Sequence, residues 1–171
     1  MTVLETERLI LRELTLADAP FILELLTDPA WLHFIGDKGV RSLDEARDYI
    51  AQGPLLNYQR LGFGLYLTEL KDGGGPIGLC GLVKRPTLAD VDVGFAFLPQ
   101  FRSQGYGFEA AAAVLAYGYG SLGLRRIVAV VAPDNAASIS LIEKLGLNFE
   151  EMVSLSEDGA ESKLFGPKSS S

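Results

Sequence analysis

The 171-residue chain is short of the side chains from which many active sites are built: it has one cysteine, Cys80, and one histidine, His33. A single cysteine excludes an intrachain disulfide framework and suits a reducing, cytoplasmic setting. One histidine and one cysteine cannot furnish a multi-His or Cys/His zinc site, so no metal is expected. A Ser-His-Asp triad would have to use His33, and the G-x-S-x-G turn that exposes such a serine is missing. No apolar run approaches the roughly 18 residues of a membrane span. The opening MTVLETERLI has no basic stretch followed by an apolar one, so no secretion signal is expected. Basic residues are also few, 15 against 22 acidic ones, for a net charge of −7. Without a basic stripe, nucleic acid is not an expected partner. An acidic field favours an amine-bearing partner, or simply keeps the protein soluble.

What is present describes an ordinary folded domain. Hydrophobic residues make up 48% of the chain, too many for a disordered one. A single domain is expected over residues 1–166, with 167–171 as a disordered tail. ERLILREL reads as a first strand. Thr15 and Asp18 open a helix that Pro29 stops, and AWLHFIGDKGVR follows as an aromatic loop. Ser42 and Glu45 open a second helix that ends near Gln52 at a Gly-Pro pair. GFGLYLTEL and IGLCGLVKR flank the turn KDGGGP as a hairpin. DVDVGFAFLP is a strand, FEAAAAVLAYGYGSL an alanine-rich helix and RRIVAVVAP a strand buried on both faces. NAASISLIEKLG is a helix closed by Gly146, and NFEEMVSLS with SKLF is a last hairpin around EDGAE. Seven strands are expected, mostly in hairpins, with one βαβ crossover at the centre.

The stretch PQFRSQGYGFEA, residues 99–110, is the most informative. Gly105 and Gly107 sit where a strand has turned into a helix. The unpaired N–H groups of a helix start attract phosphate, and glycines let an anion come close. The amides from Gln104 to Phe108 are therefore a candidate phosphate cradle, with Arg102 adding charge; a plain tight turn with glycines for packing is the alternative. GYGFEA also fits a dinucleotide G-x-G-x-x-A pattern, which would suggest a nucleotide-dependent oxidoreductase. Six residues separate the strand from Gly105, however, and no acidic residue ends the next strand about 20 positions on. A Walker loop fails because no G-K-S/T follows. In DVDVGFAF, Val91, Val93, Phe95 and Phe97 share one face, and Asp92, Gly94 and Ala96 the other. The second face lacks bulk, leaving room either for a ligand or for a closely packed helix.

Three segments resemble the GNAT acyl-CoA N-acyltransferases, in particular the RimJ/RimL-like branch that acetylates ribosomal-protein alanines. They are LETERLILRELTLADA, DVGFAFLPQFRSQGYGFEA with Arg102, Gly105 and Gly107 on the R/Q-x-x-G-x-G/A motif, and VVAPDNAASISLIEKLGL with Asn135 and Ser138 on the Asn-x-x-Ser helix. Together they span most of residues 4–150. The resemblance implies an α+β, three-layer fold: a mixed, mostly antiparallel sheet with helices on both faces and a splayed central parallel strand pair. It implies acetyl-CoA in that splay, its pantetheine paired like an added strand with Phe95, Phe97 and Leu98, and its pyrophosphate on Gln104, Gly105, Tyr106, Gly107 and Phe108. The family often has Gly-Lys where this chain has Ser103-Gln104.

The implied activity is transfer of acetyl from acetyl-CoA to a primary amine, of a protein N-terminus or a small molecule. The resemblance places Ser138 where the family's thiolate-protonating hydroxyl stands, unless its hydroxyl only bonds nearby backbone. Asn135 holds cofactor or substrate, or is a plain N-cap. Asp92 accepts the amine proton, or is a solvated strand-end carboxylate. Trp31, His33 and Tyr58 are candidates for the acceptor wall, or part of a cluster that packs the loop down. Cys80 has nothing nearby to activate it and reads as a buried small hydrophobe, which favours direct transfer in a ternary complex over an acyl-enzyme. A catalytically silent acyl-CoA-binding or sensing domain is the alternative, and a homodimer is an assembly common in such families.

Overall fold

The computed structural model describes residues 1–155 and 160–168. Its sheet has eight strands in the order β1-β2-β3-β4-β5-β6-β8-β7. These are β1 Thr2–Glu5, β2 Leu9–Arg12, β3 Leu65–Leu70, β4 Gly75–Val83, β5 Val91–Phe97, β6 Ile127–Val131, β7 Leu147–Ser154 and β8 Glu161–Pro167. The helices are α1 Ala19–Leu26, α2 Pro29–Phe34, α3 Leu43–Gln52, α4 Pro54–Leu61, α5 Tyr106–Gly120 and α6 Ala136–Lys144. All neighbouring strands run antiparallel except β5 and β6.

The expected order of elements is present, with four corrections. The eighth strand is β1, which folds back on β2 with Glu5 opposite Ile10; four residues are too few to display a period. The aromatic segment is not all loop. Asp28 Oδ2 accepts from the Ala30 N–H at 3.1 Å and Pro29 takes the first helical position, so α2 forms at once. The Gly-Pro pair after α3 ends one helix and begins another, because Pro54 sits in the first turn of α4. Finally, β8 extends to Pro167, so that residue of the expected tail is in the sheet. Ser169–Ser171, and residues 157–159 of the expected EDGAE turn, lie outside the described residues.

Alternation along the strands builds two apolar layers. On one face Leu9, Leu11, Tyr66, Cys80, Val93 and Phe97 pack with Ala110, Ala111 and Val114 of α5 and Ile142 of α6. On the other, Leu67, Leu79 and Leu98 pack with Ile22, Leu25 and Leu26 of α1, Trp31 of α2 and Ile50 of α3. At about 25 cal/mol per Å² of apolar surface, each such leucine or isoleucine contributes roughly 1.5–3 kcal/mol. These layers hold β5 and β6 in the centre of the sheet, where their pairing breaks.

Candidate active site

β5 and β6 pair only at Val91–Ile127 and Asp92–Val128. Beyond that point β6 pairs on its other side with β8, Ala129 opposite Phe165. The Val93–Phe97 edge of β5 is therefore unpaired toward β6. The Leu98 N–H donates to Ile77 O at 3.0 Å, on the β4 side. Antiparallel alternation then directs the N–H and C=O of Val93, Phe95 and Phe97 to the open side. This edge fits the pairing expected of pantetheine for Phe95. It corrects Leu98, whose N–H is spent on β4 and whose side chain is buried. The open Phe97 carbonyl is partly satisfied from within the chain, since Arg102 Nη2 and Nε donate to it at 2.9 and 3.2 Å.

The strand leads through Pro99–Phe101 into the glycine turn. Gly105 is the N-cap of α5 with φ +85°, a conformation that disfavours other residues. Ser103 adopts φ +61°, so a side chain is carried in the left-handed region there as well. Gly107 has a different reason. A β-carbon there would lie 2.7 Å from Leu141 Cδ1 of α6, so its smallness serves helix packing. Turn geometry asks for glycine at 105, and Leu141 crowds any side chain at 107. The turn still leaves the first amides of α5 open: the Glu109 N–H closes onto Gly105 O at 3.0 Å, and those of Tyr106, Gly107 and Phe108 precede it.

Arg102 does not face those amides. Besides Phe97 O, its Nη2 reaches Asp28 Oδ2 at 3.2 Å. The Gln104 side chain is likewise turned back, donating to Gln100 O at 2.9 Å. Tyr106 lies under the Arg8 guanidinium and Phe108 under Lys144 Nζ, at 4.3 and 4.5 Å from the ring centroids.

On the opposite face of β5 the missing bulk is not taken by a helix. A β-carbon on Gly94 would meet only Leu65 and Val83 side chains of the sheet, at 3.5 and 3.6 Å. Asp92, two residues before, is 1% exposed, which corrects the reading of it as a solvated strand end. Arg85 Nε stands 3.1 Å from its Oδ1. Burial outweighs the Arg85 charge and pushes the Asp92 carboxyl above the ordinary carboxylate range.

Across the splay, Asn135 caps α6, its Oδ1 accepting from the Ser138 N–H at 3.2 Å. The capping reading of Asn135 is therefore realised. Ser138 is half-buried, and its hydroxyl has no bonded partner among the described residues. Cys80 is fully buried, and burial alone pushes its thiol far above the ordinary value.

The candidates for the acceptor wall part company. Trp31 is 6% exposed and its indole N–H has no acceptor. His33 is exposed, 2.8 Å from Asp134 Oδ2, with its ring edge-on to Phe34. Tyr58 is structural: its hydroxyl accepts from the Leu14 N–H and donates to Leu65 O, and its ring stacks on Tyr66. The sequence offered no sign of Arg85, Asp134 or Arg8, because each acts on a partner brought to it by the fold. A surface cavity of about 720 Å³ is lined by Tyr119, Arg125, Arg126 and Glu150 at the end where β5 and β6 remain paired, away from the splay. Among the described residues no cluster of three or more His, Cys, Asp or Glu could hold a metal ion, and no helix is long and apolar enough to cross a membrane.

Known proteins share this fold. A model of the acetyltransferase (GNAT) domain matches residues 8–148. An uncharacterized N-acetyltransferase of Bacillus subtilis, YoaA, is 32% identical over 150 residues, which cover 86% of this chain and 84% of YoaA. The crystal structure of an acetyltransferase from Agrobacterium tumefaciens superposes with a TM-score of 0.82 at 25% identity, covering 99% of this chain and 95% of that one. RimL, a ribosomal L7/L12 α-N-protein acetyltransferase solved with coenzyme A, shares the fold with a TM-score of 0.80 at 19% identity over 97% of each chain.

Proposed function

This chain is an acetyltransferase of the GNAT family, and we propose that it passes acetyl from acetyl-CoA directly to a primary amine held on the α2 side of the β5–β6 splay. The observation that carries this reading is the unpaired Val93–Phe97 edge of β5 running toward the open amides of α5. The residues present fit the cofactor. Phe95 presents backbone donor and acceptor to pantetheine, and the Tyr106, Gly107 and Phe108 amides meet the pyrophosphate. Bound there, acetyl-CoA supplies the activated thioester.

The chain's own groups then have separable tasks. Asp92, buried on the α1–α3 face of β5, takes the proton that the attacking amine must lose. Arg85 keeps that carboxylate oriented. Ser138 Oγ, with no bonded partner among the described residues, donates a proton or hydrogen bond to the leaving thiolate. Trp31 and His33, on α2, form the acceptor wall. Cys80 is sealed in the core with its thiol protonated, which supports direct transfer in a ternary complex. The acceptor is a protein N-terminus or a small amine, and the setting is cytoplasmic. Residues 1–167, through the end of β8, act as one domain.

Thermal unfolding with acetyl-CoA, CoA, NAD and ATP tests the cofactor. A ligand at about 100 times its Kd adds roughly 2.7 kcal/mol, or some 5–10 °C for a chain of this size. Acetyl-CoA and CoA alone are expected to shift the midpoint, and a panel of amines then to consume the thioester. No shift with either would remove the cofactor assignment. A shift without turnover of any amine would point instead to a silent acyl-CoA binder.

A further inference from the structure

The glycine turn receives its cation from a distant part of the chain. Arg102 is committed to Phe97 O and Asp28, and the Gln104 side chain to Gln100 O. The guanidinium that stands at the turn belongs to Arg8, between β1 and β2. Its Nη1 donates to Gln104 O at 3.0 Å, its Nε meets Glu109 Oε1 at 2.7 Å, and its Cζ lies 4.3 Å from the Tyr106 ring centroid. A β-carbon on Gly105 would be 3.2 Å from its Nη2. That nitrogen has no bonded acceptor among the described residues, and 41% of the side chain is exposed.

Glu109 explains why the group is held so firmly. Its carboxylate lies in the first turn of α5, beside the amides that face an anion, where an unbalanced negative charge would repel one. Thr6 Oγ1 and the Arg8 N–H bind its Oε2 while Arg8 Nε binds its Oε1. The pair therefore cancels the carboxylate and fixes a planar fork over the turn with one nitrogen to spare.

We propose that Arg8 binds the pyrophosphate of the cofactor through Nη2, and that by pairing with Glu109 it also cancels a carboxylate charge beside the turn. The proposal rests on the acetyl-CoA reading of the cleft. It assigns to the N-terminal hairpin the cationic role for which the turn itself, with Ser103-Gln104, has no side chain.

The test is calorimetric titration of CoA and dephospho-CoA into wild type, R8Q, R8K and E109Q, with the unfolding midpoint of each variant recorded. R8Q is expected to weaken both ligands roughly tenfold, the value of one charge-assisted hydrogen bond. R8K, a point charge without the fork, is expected to weaken them by a smaller factor. E109Q is expected to bind CoA as well as wild type or about twofold more tightly, although its midpoint falls, because a repelling charge is gone. A clasp that merely anchors the hairpin predicts the opposite sign for E109Q, with both variants weakened, and that result overturns the proposal. Should R8Q fail to fold, the R8K and E109Q results decide by the same signs. Loss confined to CoA and absent with dephospho-CoA would assign Arg8 to the 3′-phosphate and overturn the pyrophosphate contact. Equal Kd for wild type, R8Q and R8K overturns Arg8 alone. No binding of CoA by wild type overturns the cradle reading.

Discussion

His33 Nε2 stands 2.8 Å from Asp134 Oδ2, tying the short helix α2 to the loop that leaves β6. At its other end α2 is tied to the strand side of the splay, where Asp28 meets Arg102. One six-residue helix thus touches both arms of the cleft.

Both members of the His33–Asp134 pair are more than 60% exposed, so the pair contributes about 0–1 kcal/mol to stability. H33A and D134A are expected to leave the unfolding midpoint nearly unchanged while raising KM for the amine, with little change in KM for acetyl-CoA. Steady-state kinetics on the two substrates checks this. A raised acetyl-CoA KM with an unaffected amine KM would place the pair on the cofactor side.

Tyr58 serves the fold. In Y58F the Leu14 N–H and the Leu65 carbonyl both lose a partner, at a cost of about 1–3 kcal/mol. Urea unfolding should show that loss, with both KM values as in wild type. A selective rise in the amine KM would return Tyr58 to the acceptor wall.

Asp92 and Ser138 should act on kcat. S138A and D92N are each expected to lower kcat roughly a hundredfold, in the range of general acid–base catalysis. Because the Asp92 pKa is raised, its base form appears only as pH rises through that folded value. The rate should climb across this range in wild type, and the climb should vanish in D92N. The stability effect has the matching sign. What protonated Asp92 contributes is present below the ordinary value of 3.8 and lost as pH rises through the folded one, a loss that D92N abolishes. An unchanged pH–rate profile in D92N would exclude Asp92 as the base.

Acid sensitivity should come from two other carboxylates. Burial works against ionisation of Asp18 and of Glu109. The bonds from Arg12 and Thr15 to the first, and from Thr6 and Arg8 to the second, outweigh it and hold both below their ordinary values of 3.8 and 4.5. Their contribution is full above those values and lost as pH falls through the depressed ones. D18N and E109Q should each be less stable than wild type at neutral pH and lose less on acidification from pH 5 to 3. Parallel stability curves for wild type and both variants would contradict the linkage.

Much of this protein is legible in order along the chain. Patterns of period two and 3.6, caps such as Ser42–Glu45 and stops such as Gly146 are local, and they place most strands and helices. They miss β1, α2 and α4, which are too short to show a period or are opened by a proline that also reads as a stop. The glycine turn is legible too, but not that Leu141 of α6 lies against Gly107.

The sequence by itself determined most of the elements in their order and the segment that carries the glycine motif, because these follow from neighbours in the chain. The tertiary structure decided where the candidate side chains stand. Arg102 turned back to Phe97 and Asp28, Arg8 came to the turn from nearly one hundred residues away, Tyr58 spent its hydroxyl on Leu14 and Leu65, and Asp92 lost its solvent. Charge, burial and hydrogen-bond supply at a site depend on what distant segments bring to it, and no local pattern encodes that.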